Sequence, residues 1–515
     1  MPAEPVRQTR GSTVQEEAMA IAAGEQTYKN FIAGRWQESM TDRLVANRNP
    51  ATGEVLGWAP LSSREEARAA VAAAAEALPR WRETPGPVRG RLLFKVLEIF
   101  EREIPRLAEV LTREEGKTLA EARGELQRSR NILEYIAGEG RRLRGETLPS
   151  EVPHTFTYTR RDPLGVVALI TPWNFPAAIP IWKIAPALVC GNTVVFKPAT
   201  LTPWTASLLL EIFQDAGLPP GVLNMVIGPG ATVGDELIAH PAVRAVSFTG
   251  STEVGTRLYQ QAAASGKRVQ AEMGGKNPVV VLDDADLDLA VAGTIQGAYG
   301  STGQRCTATS RVIVTERIAD RFVEDLATRA SRLVVGDGLD PATEVGPSVD
   351  ESQMKTVLRY IEIGQREGAR LVVGGGRLTD EAHANGYFVA PTVFDHVTPQ
   401  MRIFQEEIFG PVLSVCRVSD FDAAVEAANA VRFGLASSIY TRDMAAAMRF
   451  VDRSEVGIVH INNPTVGGEA HLPFGGTKAT GVGPREQGSV AIDFYSELKV
   501  VYLDYAGARR AESFF

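Results

Sequence analysis

The sequence predicts an α/β fold with two sheet-forming units and a small β flap, and three observations lead there. From Gly165 onward, short β-branched runs alternate with longer helical stretches, the pattern of a parallel sheet with crossover helices. A second alternation of the same kind runs from about Asn277 to Gly475. Two further strand-like segments, 155–159 and 497–503, lie far apart in the chain and are left over once both sheets are assigned.

Taken in order, residues 1 to about 27 are polar, mixing Glu4, Glu16, Glu17 and Glu25 with Arg7 and Arg10, and read as an arm frayed or draped over the surface. Ser63-Arg64-Glu65-Glu66 is a capping box, whose hydroxyl and carboxylate satisfy each other's backbone N–H groups, and it opens an alanine-rich helix to about Leu78. Helical periodicity resumes from Arg89 to about Tyr135. The first sheet takes strands from 165–170, 193–197, 222–227, 245–248 and 268–272. Between them Thr202-Pro203 starts a helix, since proline at the first helical position gives up only an N–H that lacks a partner there, and Gly217 stops it.

Ala245-Val246-Ser247-Phe248-Thr249-Gly250-Ser251-Thr252-Glu253-Val254-Gly255 reads strand, tight turn, helix, and puts backbone N–H groups and a positive helix end where a phosphate can sit. Its glycines are spaced G-x-x-x-x-G without the middle glycine of the dinucleotide fingerprint, so a plain connection also explains it. The second unit is expected to draw strands from 279–282, 311–315, 371–374, 412–415, 437–440 and 457–461. The final run, 497–503, lies beyond the glycine-rich Pro473-Phe474-Gly475-Gly476-Thr477-Lys478 and is expected to pair with 155–159. A flap of that kind has open edges suited to oligomerisation.

Composition narrows the function. With 515 residues, 44% hydrophobic and 23% charged, the chain has the make-up of a soluble globular protein with more than one core. A net charge of -8 argues against nucleic acid as a partner. No apolar run is long enough to span a bilayer and no secretory signal is visible, so no membrane partner and a cytoplasmic location are expected. The three cysteines are scattered, which points to a reducing compartment rather than a disulfide framework. The six histidines form no ligand-spaced cluster and neither CxxC nor HExxH occurs, so no metal is expected.

The residues that carry chemistry are Cys306, in Tyr299-Gly300-Ser301-Thr302-Gly303-Gln304-Arg305-Cys306-Thr307, and Glu272, in Ala271-Glu272-Met273-Gly274-Gly275-Lys276. They suggest a thiol nucleophile and a carboxylate base. A thiol attacks carbonyl carbon as thiolate, so its surroundings are expected to favour the anion, through backbone N–H groups of this glycine- and hydroxyl-rich stretch and the adjacent Arg305. Cys190 and Cys416 lie in apolar contexts that packing explains.

With these pieces in place the chain resembles the aldehyde dehydrogenase superfamily from about Asn30 to Tyr505. The resemblance rests on Thr171-Pro172-Trp173-Asn174-Phe175-Pro176, Phe196-Lys197-Pro198-Ala199, Phe248-Thr249-Gly250-Ser251, Glu272-Met273-Gly274-Gly275-Lys276, Gly303-Gln304-Arg305-Cys306, Glu406-Glu407-Ile408-Phe409-Gly410-Pro411 and Pro473-Phe474-Gly475-Gly476, all in the family's order. It implies a Rossmann-like, doubly wound dinucleotide-binding domain from 1–140 and 162–274 and a catalytic domain from 275–487. Residues 141–161 and 488–515 would form the oligomerisation flap and C-terminal tail of a homodimer or homotetramer.

The resemblance further implies an NAD(P)-dependent oxidation of a small aldehyde to its acid. Cys306 attacks the aldehyde, the Asn174 amide and the Cys306 N–H hold the oxyanion, and Glu272 activates water to release the acid from a thioester. The cofactor groups would be Ile170, Trp173, Lys197, Thr200, Gly250, Ser251, Glu407 and Phe409. Read without the family, Asn174 is a turn residue, Lys197 a strand-end lysine, Glu272 a solvated strand-end carboxylate and Glu407 half of a charge pair. Many NAD-specific members carry a glutamate three residues after this lysine; here that position is Thr200, so NAD or NADP is expected.

For the substrate, Trp182 occupies a position where some succinate semialdehyde dehydrogenases resembling this chain carry an arginine, and Phe175 with Trp182 suggests an aromatic entrance, with Arg305 available to an acid group. Gly303-Gln304-Arg305-Cys306-Thr307 and His471-Leu472-Pro473-Phe474 are most similar to bacterial 2-oxoglutarate semialdehyde dehydrogenases. Members that release product to coenzyme A lack the glutamate, so a coenzyme-A-acylating enzyme is the weaker alternative, and a non-catalytic structural relative weaker again. A tail at 506–515 ending in Ser513-Phe514-Phe515 is read as disordered, with docking on a neighbouring subunit as the other reading.

Overall fold

Residues 26–507 are described by the structure, a computed structural model; the polar arm and nearly all of the 506–515 tail lie outside them. The first sheet has eight strands, and its five central ones, Leu223–Met225, Thr193–Lys197, Val166–Ile170, Val243–Thr249 and Arg268–Glu272, run parallel in that spatial order. They read as unbroken apolar runs because crossover helices cover both faces, so little of either face meets water. The chain enters in the middle at Val166–Ile170, builds outward to one side, then returns to build the other from Val243–Thr249. The switch point therefore falls between Ile170 and Thr249, where such sheets open a crevice at their carboxyl ends.

From Glu272 the chain crosses through residues 273–276 straight into Asn277–Val281, the first strand of a second, seven-stranded sheet. Six of its strands are parallel and Arg370–Val373 is the antiparallel edge. Only four residues thus separate the strand-end carboxylate from the start of the second unit, which fixes Glu272 at the seam between the sheets.

The predicted pairing of the flap is present: Ser496–Asp504 lies antiparallel to Thr155–Pro163, with Val500 opposite Thr159, and Thr147–Pro149 adds a third strand. The capping box at Ser63 and Glu66 forms, but its helix runs to Glu83, through Pro79 and past the expected Leu78. The helical stretch expected at 89–135 is two helices, Gly86–Glu115 and Leu119–Glu139. Gly116 breaks them by adopting φ 95°, where a side chain is strained, and Thr118 with Glu121 makes a second capping box that restarts the helix. Thr202 occupies the N-cap position before Pro203 without a side-chain cap.

Several strands were not foreseen. Asn30–Ile32 and Arg35–Gln37 form a hairpin on the edge of the first sheet, turning at Ala33 (φ 53°) and Gly34 (φ 77°), and Leu44–Arg48 pairs with Val55–Pro60. Thr392–Asp395 completes the second sheet. The three-residue hairpin strands are too short to show alternation, and Ala-Gly is a weaker turn signal than Asn-Gly.

Candidate functional site

Cys306 stands on a turn held open against local preference. After the helix Leu287–Tyr299 the backbone passes through Ser301 (φ 49°), Thr302 (φ 57°) and Gly303 (φ 67°), three left-handed residues in a row, two of them with side chains. Such strain persists only where surroundings over-determine it. Here Glu121 accepts from the Ser301 N–H, Thr302 Oγ1 donates to Gly346 O at 3.0 Å, and Gln304 Oε1 accepts from Val349 N at 3.0 Å. Asn277 Nδ2 donates to Cys306 O at 2.8 Å and Ala308 O at 2.9 Å, tying the turn to the second sheet.

The sulfur is not held as an anion. Burial pushes the Cys306 thiol up to about 12, the negative charges of Glu407 and Glu272 add to this, and Arg128 opposes it. Arg305, expected beside the sulfur, is turned away: its Nε donates to Ser301 Oγ at 3.0 Å and its guanidinium pairs with Glu121 at 3.5 Å. The cation that acts on Cys306 is instead Arg128, from the helix Leu119–Glu139.

Asn174 is buried at the start of the segment leading to the helix Ala178–Val189, and its Nδ2 donates to Gln304 O at 3.0 Å, two residues before the thiol. That helix has no side-chain cap of its own. Glu125 serves instead, one oxygen accepting from Ala177 N and Ala178 N at 2.9 and 3.0 Å while the other takes Lys117 Nζ at 2.6 Å. Lys117 Nζ also donates to Asn174 O at 2.7 Å.

Glu272 is 4% exposed at the end of its strand, and its Oε2 has no hydrogen bond among the described residues. Its carboxyl is held well above its ordinary range by burial first and then by Glu486, against Lys183 and Arg485. Glu486 is itself paired with buried Lys183, which donates to Ser247 Oγ at 2.8 Å. Glu272 is therefore a desolvated carboxyl beside a buried polar network, not a solvated strand end.

A cavity of about 230 Å³ at the switch point brings together Trp173, Asn174, Gly250, Ser251, Cys306, Glu407 and Phe409. Trp173 and Phe409 meet edge to face at 5.5 Å. Glu407 Oε1 accepts from Gly275 N at 2.9 Å and its carboxyl is pushed up to about 7 by burial; a Cβ at Gly274 would collide with Glu407 Oε2. Ser251 caps the helix Thr252–Ala264, whose N-terminus faces this cavity. Ile170 and Lys197 are register partners on adjacent strands just outside it. Lys197 is buried, its Nζ donates to Pro198 O at 2.8 Å, and burial lowers its ammonium to about 8. Thr200 is half-buried nearby in sequence.

On the other side of Cys306, Phe175 lies under both Lys117 (4.1 Å) and Arg305 (5.8 Å), and Trp182 packs on Phe474 at 5.5 Å. Besides Arg305, this entrance holds a second arginine: the Arg128 guanidinium lies over the Trp182 ring at 5.5 Å. Arg128, Lys117, Glu125, Lys183 and Glu486 were missed by sequence reasoning. One signal existed: Glu125 and Arg128 interrupt a stripe whose other members, Ala122, Leu126, Ser129, Ile132 and Leu133, are buried.

Fold and site together define an α/β oxidoreductase whose reactive thiol sits where a dinucleotide crevice meets a second sheet. Residues 36–501 match the aldehyde dehydrogenase family, and the chain belongs to it. The chain is 47% identical over 486 residues to the alpha-ketoglutaric semialdehyde dehydrogenase of Bacillus subtilis, covering 94% of this chain and 100% of that one. It is 48% identical over 479 residues to the alpha-ketoglutarate semialdehyde dehydrogenase of Haloferax volcanii, covering 93% and 99%. Among solved structures, betaine aldehyde dehydrogenase from Staphylococcus aureus in complex with NAD+ superposes with a TM-score of 0.92 at 33% identity, covering 95% of this chain and 97% of that one.

Proposed function

We propose that this chain oxidises an acid-bearing aldehyde, a semialdehyde of the 2-oxoglutarate type, to the dicarboxylic acid with NAD or NADP. The observation that carries the reading is the shared cavity in which Cys306 and Asn174 face Ser251, Glu407 and Phe409 across the switch point. The names of the Bacillus and Haloferax relatives support the substrate class.

The crevice fits a dinucleotide. A helix N-terminus reached by Ser251 suits a pyrophosphate, a buried lysine with no carboxylate partner among the described residues suits ribose or phosphate oxygens, and Glu407 with Phe409 flanks the place for a nicotinamide. Ile170, Trp173, Thr200 and Gly250 would complete its walls. When bound, the nicotinamide supplies a hydride acceptor. Cys306 forms the bond to the carbonyl carbon, and its thiol, protonated at rest, passes its proton to solvent water as it does so. The Asn174 amide and the Cys306 N–H steady the oxyanion. After oxidation the acyl group stays on sulfur as a thioester. Glu272, its pKa held well above the ordinary carboxylate range by burial, takes a proton from water, whose oxygen displaces the sulfur and releases the acid.

The domain division falls, in this reading, at 274/275, with 1–140 and 162–274 binding the dinucleotide, 275–487 carrying the thiol, and the flap with the tail assembling a dimer or tetramer. The absence of any disulfide among the described residues is compatible with a cytoplasmic site of action. Among the described residues no helix is long and apolar enough to cross a membrane.

The test is direct: the purified chain is incubated with 2-oxoglutarate semialdehyde and either nucleotide, with and without coenzyme A, and reduced nicotinamide is followed. Turnover without the thiol is expected. Turnover only with coenzyme A, or none with any aldehyde, overturns the proposal.

A further inference from the structure

We propose that Glu121 is a positioning residue for the thiol: its carboxylate clamps the strained turn at Ser301, so the first turn of the helix Leu119–Glu139 sets how the nucleophile stands against the oxyanion donor. The inference rests on reading Cys306 as the residue that meets the aldehyde and Asn174 as that donor. Ser301 is buried, and each of its polar atoms is gripped. Its N–H donates to Glu121 Oε1, its Oγ accepts from Arg305 Nε at 3.0 Å, and its carbonyl accepts from Gln304 N at 2.8 Å. Arg305 Nη2 also stands 3.5 Å from Glu121 Oε1, so the two side chains that hold Ser301 hold each other. Gly300 leaves them room, since a Cβ there would come within 3.3 Å of Arg305 Nη2 and 3.5 Å of Glu121 Oε1. A side chain makes the left-handed conformation unfavourable, yet Ser301 and Thr302 both adopt it. Without the clamp the turn would relax toward the right-handed region, and Cys306, a few residues on, would move with it.

Glu121 is itself fixed. Its second oxygen accepts from Thr118 N at 3.0 Å while Thr118 Oγ1 accepts from Glu121 N at 3.3 Å, the reciprocal pair of a capping box. Immediately before Thr118, Lys117 Nζ donates to Asn174 O at 2.7 Å. One helix start therefore reaches both halves of the site, Lys117 the backbone of the oxyanion donor and Glu121 the backbone that leads to the thiol. The bond from Asn174 Nδ2 to Gln304 O at 3.0 Å closes the triangle. Elements of regular structure hold such a constellation more precisely than loops do, and a misplacement of about 1 Å can cost about a hundredfold in rate. Arg305 is then the counter-ion of Glu121: the residue next to the thiol in sequence steadies the turn from its other side.

Single turnovers, with enzyme in excess over 2-oxoglutarate semialdehyde or neutral propanal and NAD saturating, test it through the rate at which reduced nicotinamide forms. Glu121→Ala is expected to slow this rate about a hundredfold at saturating enzyme, with little change in the enzyme concentration that gives half the maximal rate. The slowing should be the same for both aldehydes, because the turn acts on the thiol and not on the rest of the substrate. A purely structural role would lower the melting temperature and the yield of active protein and leave the saturated rate where it was. Glu121→Gln keeps one oxygen for the Ser301 N–H and should restore part of the rate; Glu121→Asp keeps the charge, falls one methylene short of the turn, and should not. Should Glu121→Ala not fold, Arg305→Met, which removes the grip on Ser301 Oγ, should slow the same step about tenfold. An unchanged saturated rate in Glu121→Ala, or in its place in Arg305→Met, overturns the inference, as does slowing confined to the acid-bearing aldehyde or a faster Glu121→Asp than Glu121→Gln. No reduced nicotinamide from the unsubstituted enzyme with either aldehyde would instead overturn the assignment of Cys306 on which it rests.

Discussion

The Lys117 ammonium donates to the main-chain oxygen of Asn174 over 2.7 Å, so a lysine with no part in bond making fixes the backbone that presents the amide. The same ammonium pairs with Glu125, whose second oxygen caps the next helix at Ala177 and Ala178, and with Glu115 at 3.7 Å. Burial alone would weaken this cation, and the two glutamates outweigh it. Removing it leaves carboxylates buried without a counter-charge. Lys117→Met should therefore destabilise the fold by about 3–5 kcal/mol in denaturant unfolding and lower kcat/KM as well. Adding Glu125→Gln should return part of the stability, since the amide oxygen still caps the helix, without returning the rate. Unfolding of Lys117→Met at the unsubstituted midpoint would show that the network carries no load.

Asn174 itself offers a donor at the thiol. Its Nδ2 is aligned by Gln304 O at 3.0 Å, and one N–H remains to meet a developing oxyanion. Asn174→Ala should reduce kcat about 100- to 1000-fold, as loss of one such donor does elsewhere, with a much smaller change in melting temperature. Asn174→Asp, equal in size and without the donor, should be no better. If either variant kept more than a tenth of the rate, the amide would not hold the oxyanion.

Glu272 predicts a pH signature. Its folded pKa is raised, so the carboxyl stays protonated at pH values where an unfolded chain has already ionised it, and it becomes a base only as pH climbs above its ordinary value of 4.5. Hydrolysis of the acylated enzyme should thus accelerate with rising pH beyond the usual carboxylate range. For the fold the sign is opposite: its contribution is fully present below pH 4.5 and is lost as pH rises through the folded value. Glu272→Gln should abolish the pH-dependent rise while keeping one burst of reduced nicotinamide per site. Steady turnover by this variant would remove Glu272 from the reaction.

How much of this was legible depended on whether a residue's neighbours were local. Ser63 announces its helix because Glu66 is one turn away, and the strands 193–197 and 268–272 matched to the residue because β-branched runs bounded by turns need no distant partner to be seen. Arg128 could not be read that way. Its meaning comes from Gln487, 359 positions on, and from Trp182 on another helix. Arg305 misled for the same reason: adjacency to Cys306 in sequence placed its side chain toward Glu121 in space. The thiol's protonation was hidden too, because burial, the largest influence on it, belongs to the assembled fold.

Cofactor choice should turn on Lys197 and Thr200. No carboxylate stands at position 200 to repel a 2'-phosphate, and Lys197, lowered to about 8, is charged below that pH and neutral above it. Attraction for the extra phosphate should fade as pH passes 8. The KM for NADP is expected to rise above pH 8 more steeply than that for NAD, and Thr200→Glu should cut kcat/KM for NADP by about a hundredfold while sparing NAD. Equal effects on both nucleotides would place the choice elsewhere.

The flap makes the last prediction. Along Ser496–Asp504 alternate residues share a face, and Leu498, Val500 and Tyr502 are 59, 53 and 73% exposed on one of them. An apolar stripe on an open edge of a three-stranded sheet is a liability in a monomer and an asset in an assembly, where a second copy of the chain covers it. Val500→Glu with Tyr502→Glu should shift the sedimentation coefficient toward the monomer and leave the first sheet folded, since both side chains are exposed and belong to a separate sheet. Like charges would then meet across any symmetric interface, so weakening should be strongest at low salt and partly relieved at high salt. An unchanged sedimentation profile at low salt would mean that the stripe is not where copies of this chain meet.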